Sequence, residues 1–429
     1  MTYRKHVLKN GTRVVLVPHG DTAAATILVL YEVGSRYETK SLNGAAHFIE
    51  HMMFKGTTKR PDTMTISRDL DSVGADYNAF TGKDHTGYYI RLQADKLPLA
   101  VDMLDDMVHR SLYREKDISS ERKVIHEEIH MYDDNPMMLV DDLLEEEMFR
   151  GSTLGWRISG SDATMNGIKR TPMLAFRNAF YVPARTVVAV AGRFDEKEVI
   201  AMLEATFGSR PKKREPKSFP KFFVSKAGYR GPRIRLHRKE TEQVQVALGW
   251  PSYGLGDARL AAQSVLSIIL GGTMSSRLFL SVREKEGLAY FIRSSANPYQ
   301  DVGSFSIQAG LAKAPVHKAL DIIMRETMKM KKSLVTNEEL TRAKDYVKGK
   351  MLLGLEESSH LAEWYAKQEL LQRKVATPEE KLARIFAVTR EDVRRVAEDI
   401  FRPARVSLVA IGPYDEGDTA AFKKHTFAV

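Results

Sequence analysis

The sequence predicts an α+β protein built as two duplicated domains. Three observations carry that expectation. The first half alternates strand-like and helix-like stretches, its closing stretch recurs 220 residues later, and a basic, proline-rich segment lies between the halves. Length agrees, since 429 residues exceed one ordinary core and suit two domains of about 200 residues.

Taken in order, strands are expected near 3–8, 12–18 and 25–33, with a turn at Asn10-Gly11 between the first two. Helices over 43–55 and 63–73 come next, then strands 76–81 and 86–93 joined through Gly82–Gly87. Further helices are expected over about 95–110, 116–133, 138–150 and 171–180. A strand over 186–191 and a helix over 196–207 close the half. The repeat is ungapped. Pro183-Ala-Arg, Gly192 and Asp195-Glu196 recur as Pro403-Ala-Arg, Gly412 and Asp415-Glu416. A weaker echo links the stretches beginning at Gly87 and Gly303. The expected division is 1–209 for the first domain, 210–232 for the linker and 233–429 for the second domain.

Hydrophobic content of 43% and charged content of 28% are ordinary for a globular protein. With no cysteine there is no disulfide, thiolate site or cysteine nucleophile, so any metal must sit on His, Asp or Glu. The N-terminal residues lack the apolar run of a signal peptide, and no apolar stretch reaches the roughly 20 residues that span a bilayer. A cytoplasmic location without membrane contact is therefore expected. The net charge of +10 is local. Residues 210–239 hold twelve Lys and Arg against the single acid Glu215, so this segment is +11 and the remainder near −1. With Pro211, Pro216, Pro220 and Pro232 in it, the segment reads as a solvated linker rather than a nucleic-acid arm.

The chemistry concentrates in Gly44-Ala-Ala-His47-Phe-Ile-Glu50-His51-Met-Met-Phe54. On a helix, His47, Glu50, His51 and Phe54 fall within an arc of roughly 100°. Phe48, Ile49, Met52 and Met53 point away. Two imidazoles at i and i+4 can chelate one zinc, and an adjacent non-ligating Glu can take a proton from water. The order His-x-x-Glu-His inverts the zincin pattern. At the repeat offset, His47, Glu50 and His51 become Ser267, Leu270 and Gly271, so only one copy has the polar set.

A rival stands at His126-Glu127-Glu128-Ile129-His130, which satisfies His-Glu-x-x-His. Its helical face argues against it. With Glu121 as reference, Val124, Ile125, Glu128, Ile129 and Met131 share one side, while His126, Glu127 and His130 lie opposite among charges. Glu121 and Glu128 thus sit on the apolar face, where a carboxylate is costly unless paired or metal-bound. A catalytic zinc needs a third ligand, which an inward-facing Glu can supply, and Glu121 can hold a ligating His ring.

These stretches resemble the pitrilysin/insulinase-like zinc peptidases (peptidase family M16), in the short two-domain branch that includes the mitochondrial processing peptidases. The resemblance rests on Gly44–Thr57, on Glu121–Asp134, with Glu128 lying 77 residues after His51 and Glu121 seven before Glu128, and on Gly271–Tyr290. It implies two domains, each a mostly antiparallel sheet packed with helices. It implies one zinc per chain on His47, His51 and Glu128, with Glu50 as general base and Glu121 beside the site. Arg283 and Tyr290 are implied as substrate contacts, and Asn78, Ala79, Phe80 and Thr81 as the edge strand that receives the peptide. A homodimer in which one C-terminal domain faces the partner's zinc follows as an expectation. The implied function is a zinc endopeptidase acting on short peptides or unfolded segments. The alternative is a non-catalytic relative of the kind that scaffolds a respiratory complex.

Overall fold

The computed structural model describes residues 2–224, 228–229 and 231–427; positions 225–227 and 230 of the expected linker lie outside the described residues. The chain opens with β1 (Arg4–Val7), β2 (Arg13–Pro18), β3 (Ala24–Tyr31), α1 (Ala45–Met52), α2 (Thr63–Asp71), β4 (Asp76–Thr81) and β5 (Thr86–Gln93). Helices α3 (Leu97–Arg110), α4 (Glu115–Asp134), α5 (Pro136–Met148), α6 (Asp162–Gly167) and α7 (Arg170–Phe180) follow, then β6 (Thr186–Gly192) and α8 (Glu196–Ala205). The rest comprises β7 (Arg233–Arg238), β8 (Gln243–Ser252), α9 (Leu260–Ser267), β9 (Ala289–Pro298), β10 (Gly303–Ala312), α10 (Val316–Lys332) and α11 (Asn337–Gly354). It closes with α12 (Ser358–Gln372), α13 (Pro378–Phe386), α14 (Arg390–Ile400), β11 (Ser407–Gly412) and α15 (Thr419–Phe427).

The duplication is explicit in the sheets. The first runs β1-β2-β6-β3-β5-β4 and the second β7-β11-β8-β10-β9. Setting β1 aside, the two orders match strand for strand. Each sheet has one parallel pair (β2 with β6, β7 with β11) and is otherwise antiparallel. The Pro-Ala-Arg echo forms the same 3-10 turn before β6 and before β11.

Why each sheet is layered follows from its central strands. β3 and β6 are apolar at almost every position, so both faces need cover. Ile27, Val29, Val188 and Val190 face the larger core with α1 and α3. Leu28, Leu30, Val187 and Ala189 face a second cluster with Leu361, Ala362, Tyr365 and Ala366 of α12. The second sheet repeats the arrangement, with Val246, Leu248 and Leu408 on one face and Ala247, Val409 and Ile411 on the other, against Leu139, Leu143 and Leu144 of α5.

The covering helices are therefore exchanged between the sequence halves. One compact unit comprises Met1–Ile129, Trp156–Phe219 and Met351–Thr377, and the other His130–Gly155, Pro220–Lys350 and Pro378–Val429. Residues 130–155, expected with 1–209, belong to the second unit, and 351–377, expected with 233–429, belong to the first. No described helix is long and apolar enough to cross a membrane.

This layering sets an expected outcome for truncation. A fragment ending at residue 232 lacks α12, so Val15, Val17, Leu28, Leu30 and Val187 lose their cover. It should bind hydrophobic dyes and aggregate, and a peptide spanning 351–377 supplied in trans should reduce both effects. In the full chain, Leu361→Ala, at a fully buried position, should cost about 2–5 kcal/mol in denaturant unfolding.

Candidate metal centre

Helix α1 is short and its start is over-determined. Gly44 precedes it at φ +97°, and a Cβ there would lie 2.2 Å from Met165 Cε and 2.7 Å from the Ser159 carbonyl oxygen. No side chain at the cap position serves the first turn. Instead Glu38, buried and outside the helix, accepts hydrogen bonds from the Gly44 N–H (2.7 Å), the Ala46 N–H (2.7 Å) and the Asn43 amide (3.0 Å). Its carboxylate satisfies donors that a helix start leaves free and lies at the positive end of the helix. Burial pushes the Glu38 carboxyl up, to about 8, while the three donors pull it back. Ala45, Ala46, Phe48, Ile49 and Met52 are buried, which leaves His47, Glu50 and His51 facing the opposite way.

Helix α4 crosses that face. Its buried stripe is Ile118, Glu121, Ile125 and Ile129. The stripe is narrower than the sequence pattern implied, because Val124 and Met131 are 49% and 55% exposed. Glu128 lies at its margin and meets the histidines. The His47 and His51 Nε2 atoms are 3.2 Å apart. Glu128 Oε1 is 3.6 Å from His47 Nε2, and Glu128 Oε2 is 3.6 Å from His51 Nε2. Among the described residues these three form the one His/Asp/Glu group close enough to share an ion. The spacing suits zinc: ligands at about 2.0–2.1 Å in tetrahedral directions lie about 3.3–3.4 Å from one another.

The His51 tautomer agrees with that use. His51 Nδ1 is 2.9 Å from Glu121 Oε1, so it donates its proton there and Nε2 presents a lone pair. Glu121 is held in turn by Lys55, one turn beyond His51 on the same side of the chain. His47 Nδ1 is buried without a hydrogen-bond partner. Burial, reinforced by the neighbouring His51, pulls His47 down to about 3, which keeps it neutral. Burial also lowers His51, but the Glu121 bond and the surrounding carboxylates outweigh it and leave His51 raised. Burial raises Glu128. In Glu121 the bonds from His51 and Lys55 overcome burial and keep the carboxyl low.

Glu50 stands beside this trio and outside it. Its carboxylate accepts a hydrogen bond from the Thr81 hydroxyl at the end of β4. Burial raises it, and the Thr81 bond opposes the rise. β4 is the sheet's edge and, among the described strands, pairs only with β5. Asn78 is exposed on that edge, and its side-chain oxygen accepts from the Ala79 N–H at 2.8 Å. Phe80 meets His85 edge-on. In the second unit, Arg283 lies on a π-helical turn, Phe279–Glu284, with its guanidinium 5.9 Å from the ring centre of Tyr290, which is 70% exposed.

The rival motif is dispersed. Glu127 and His130 are exposed. The His126 ring nitrogens face Asp162 and, at 3.1 Å, the Asn166 side-chain oxygen, so this ring is engaged rather than freely solvated. At the repeat position, α9 runs into a π-helical turn, Ile268–Gly272. A Cβ at Gly271 would lie 2.7 Å from the Ser294 backbone nitrogen, so no imidazole can replace His51 there. Sequence reasoning missed Glu38 and Lys55. Lys55 was within reach as the i+4 neighbour of His51, whereas nothing local marks Glu38.

Known proteins are similar to this chain over most of its length. Residues 13–162 match the family model described as Insulinase (Peptidase family M16), and residues 167–347 match that described as Peptidase M16 inactive domain. A Streptomyces coelicolor protein named as an uncharacterized zinc protease is 39% identical over 96% of this chain and 90% of its own length. The chain belongs to peptidase family M16. A Bacillus subtilis protein named as the uncharacterized zinc protease YmxG is 33% identical over 93% of this chain and 95% of its own. A Helicobacter pylori protease superposes with a TM-score of 0.90 at 25% identity, covering 96% of this chain and 99% of that one. A chain of complex III2 from Candida albicans shares the fold, with a TM-score of 0.86 at 17% identity over 99% of both chains.

Two outcomes are expected of variants around this M16 site. Glu38→Ala strips the Gly44 and Ala46 N–H groups of their acceptor and leaves the Asn43 amide only the Arg157 carbonyl oxygen. It should cost about 1–3 kcal/mol, read as a lowered thermal midpoint. Glu121→Ala frees the His51 ring and should weaken metal binding about 10- to 100-fold in a competitive chelator titration.

Proposed function

We propose that this M16 chain is a zinc-dependent endopeptidase for short peptides or unfolded segments. The observation that carries the reading is the convergence of His47, His51 and Glu128 at zinc-ligand spacing beside a separately held carboxylate, Glu50. One zinc per chain on these three ligands, when bound, supplies a Lewis acid that acidifies water and polarises the scissile carbonyl. The protein's own groups do the rest. Glu50 takes the proton of the attacking water and returns it to the leaving amine. Glu121 keeps His51 in the tautomer that offers Nε2. A peptide adds as a strand along Asn78, Ala79, Phe80 and Thr81, where main-chain bonds give affinity with little demand on sequence. The Asn78 side chain must release the Ala79 N–H for this pairing.

Arg283 and Tyr290 are read as donors to the substrate backbone or the developing oxyanion. We place them in trans, in a cytoplasmic homodimer whose C-terminal domain faces the partner's zinc. A chain that stays fully active as a monomer at every dilution would contradict that arrangement.

The second reading is a non-catalytic scaffold. It is favoured by the shared fold of the complex III2 chain and disfavoured by the intact donor set, which a scaffold has no need to keep. Metal content and peptide cleavage decide between them. Glu50→Gln should retain about one zinc per chain and lose cleavage, while Glu127→Gln should match the parent. The reverse result would move the site to 126–130, and a parent without zinc or cleavage would favour the scaffold.

Metal uptake should also depend on pH in a defined sense. Protons compete with metal for His51, whose titration lies above the ordinary imidazole value of about 6.5. Affinity should therefore be complete above that titration and fall as the pH drops through it. A chelator competition series across this range checks the sign.

A further inference from the structure

Edge strand β4 does more than offer a pairing surface, because its last side chain reaches the carboxylate of Glu50. Thr81 Oγ donates its single proton to Glu50 Oε2. That bond fixes the plane of the carboxylate and leaves Oε1 as the oxygen free to exchange a proton. Threonine suits such a task because its branched side chain has few rotamers.

The position of Thr81 is itself set by a buried framework. Directly after it the chain turns, with the Gly82 N–H bonded to the His85 carbonyl oxygen at 2.8 Å and the Ser35 N–H bonded to the Gly82 carbonyl oxygen at 3.1 Å. Within that turn Asp84 pairs with Arg36 at 2.9 Å, and the Arg36 side chain is 0% exposed. Lys83 reaches the Trp156 carbonyl. The guanidinium of Arg36 also lies 3.5 Å from the Phe219 ring centre. A buried ion pair anchors the turn, the turn anchors Thr81, and Thr81 holds Glu50.

We infer that Thr81 is a positioning residue for the general base, tying Glu50 to the strand on which the peptide is read to add. The inference rests on the peptidase reading above. It assigns Thr81 a role through its hydroxyl, separate from the backbone pairing of β4, which any residue of similar shape would preserve.

The experiment compares Thr81→Val, Thr81→Ser, Glu50→Gln and the Thr81→Val/Glu50→Gln double variant as full-length, zinc-loaded protein. Thr81→Val keeps the shape and loses the donor. Its kcat should fall about 10- to 100-fold, with KM, zinc content and thermal midpoint unchanged, and its crystal structure should show the Glu50 carboxylate rotated. Thr81→Ser restores the donor and should return kcat to within about threefold of the parent. In the double variant, the valine should add nothing to the loss already caused by Glu50→Gln, because the two act as a unit.

Parental kcat in Thr81→Val while Glu50→Gln is inactive would overturn the inference alone. So would a fall in Thr81→Val that Thr81→Ser shares, or the same fold-loss with or without Glu50. Full cleavage by Glu50→Gln would instead remove the base, and the inference with it.

Discussion

A sheet whose central strands are apolar on both faces must be covered twice, and that requirement organises this protein. β3 and β6 send alternate side chains into two separate clusters. The inner cluster is closed by helices near in sequence, including α1 with the candidate donors His47 and His51. The outer one is closed by α12, from the other half of the chain. The second sheet repeats the solution with α5. The rigidity of α1 rests on this burial. Five of its eight residues are in the core, so the polar face has little freedom to turn away.

On that base the site adds a graded set of electrostatic supports. Glu38 fixes the helix start, Glu121 fixes a ring, and Lys55 fixes Glu121. Each buried carboxylate has a donor, as it must, since an unpaired one would cost several kcal/mol (about 1–3 for a neutral partner and more for a charge). The two histidines differ in kind. His51 is oriented through its Nδ1 by Glu121, whereas His47 Nδ1 has no hydrogen-bond partner and its ring meets polar groups through Nε2, at His51 and Glu128.

Much of this was legible in the sequence because it depends on periodicity. The i, i+3, i+4 spacing put His47, Glu50 and His51 on one face, and the same reasoning turned Glu128 toward the apolar side, whereas His126, expected on the surface, is engaged by Asp162 and Asn166. The ungapped echo of Pro183–Glu196 at Pro403–Glu416 announced the duplicated sheets. What could not be read comes from long-range geometry. The exchange of α5 and α12 leaves no local trace, since each looks like any amphipathic helix. Glu38 is an acid in a loop until Gly44 and Ala46 fold back onto it. The exposure of Val124 and Met131 shows the limit of a helical wheel, which gives direction along one helix but not how wide its neighbour is. The bond between Thr81 and Glu50 joins a strand end to a helix face 31 residues apart, and no spacing rule connects them.

The exchange of covering helices has a temporal side. β6, the last strand of the first sheet, ends at Gly192, yet the helix that seals its outer face ends only at Gln372. A ribosome adding about 5–20 residues per second needs roughly 10–40 s to make the intervening stretch. During that interval the nascent sheet presents a wall of valine and leucine with nothing to rest on. Such a high-contact-order closure favours slow folding, and it leaves that apolar face prone to aggregation until the second half emerges.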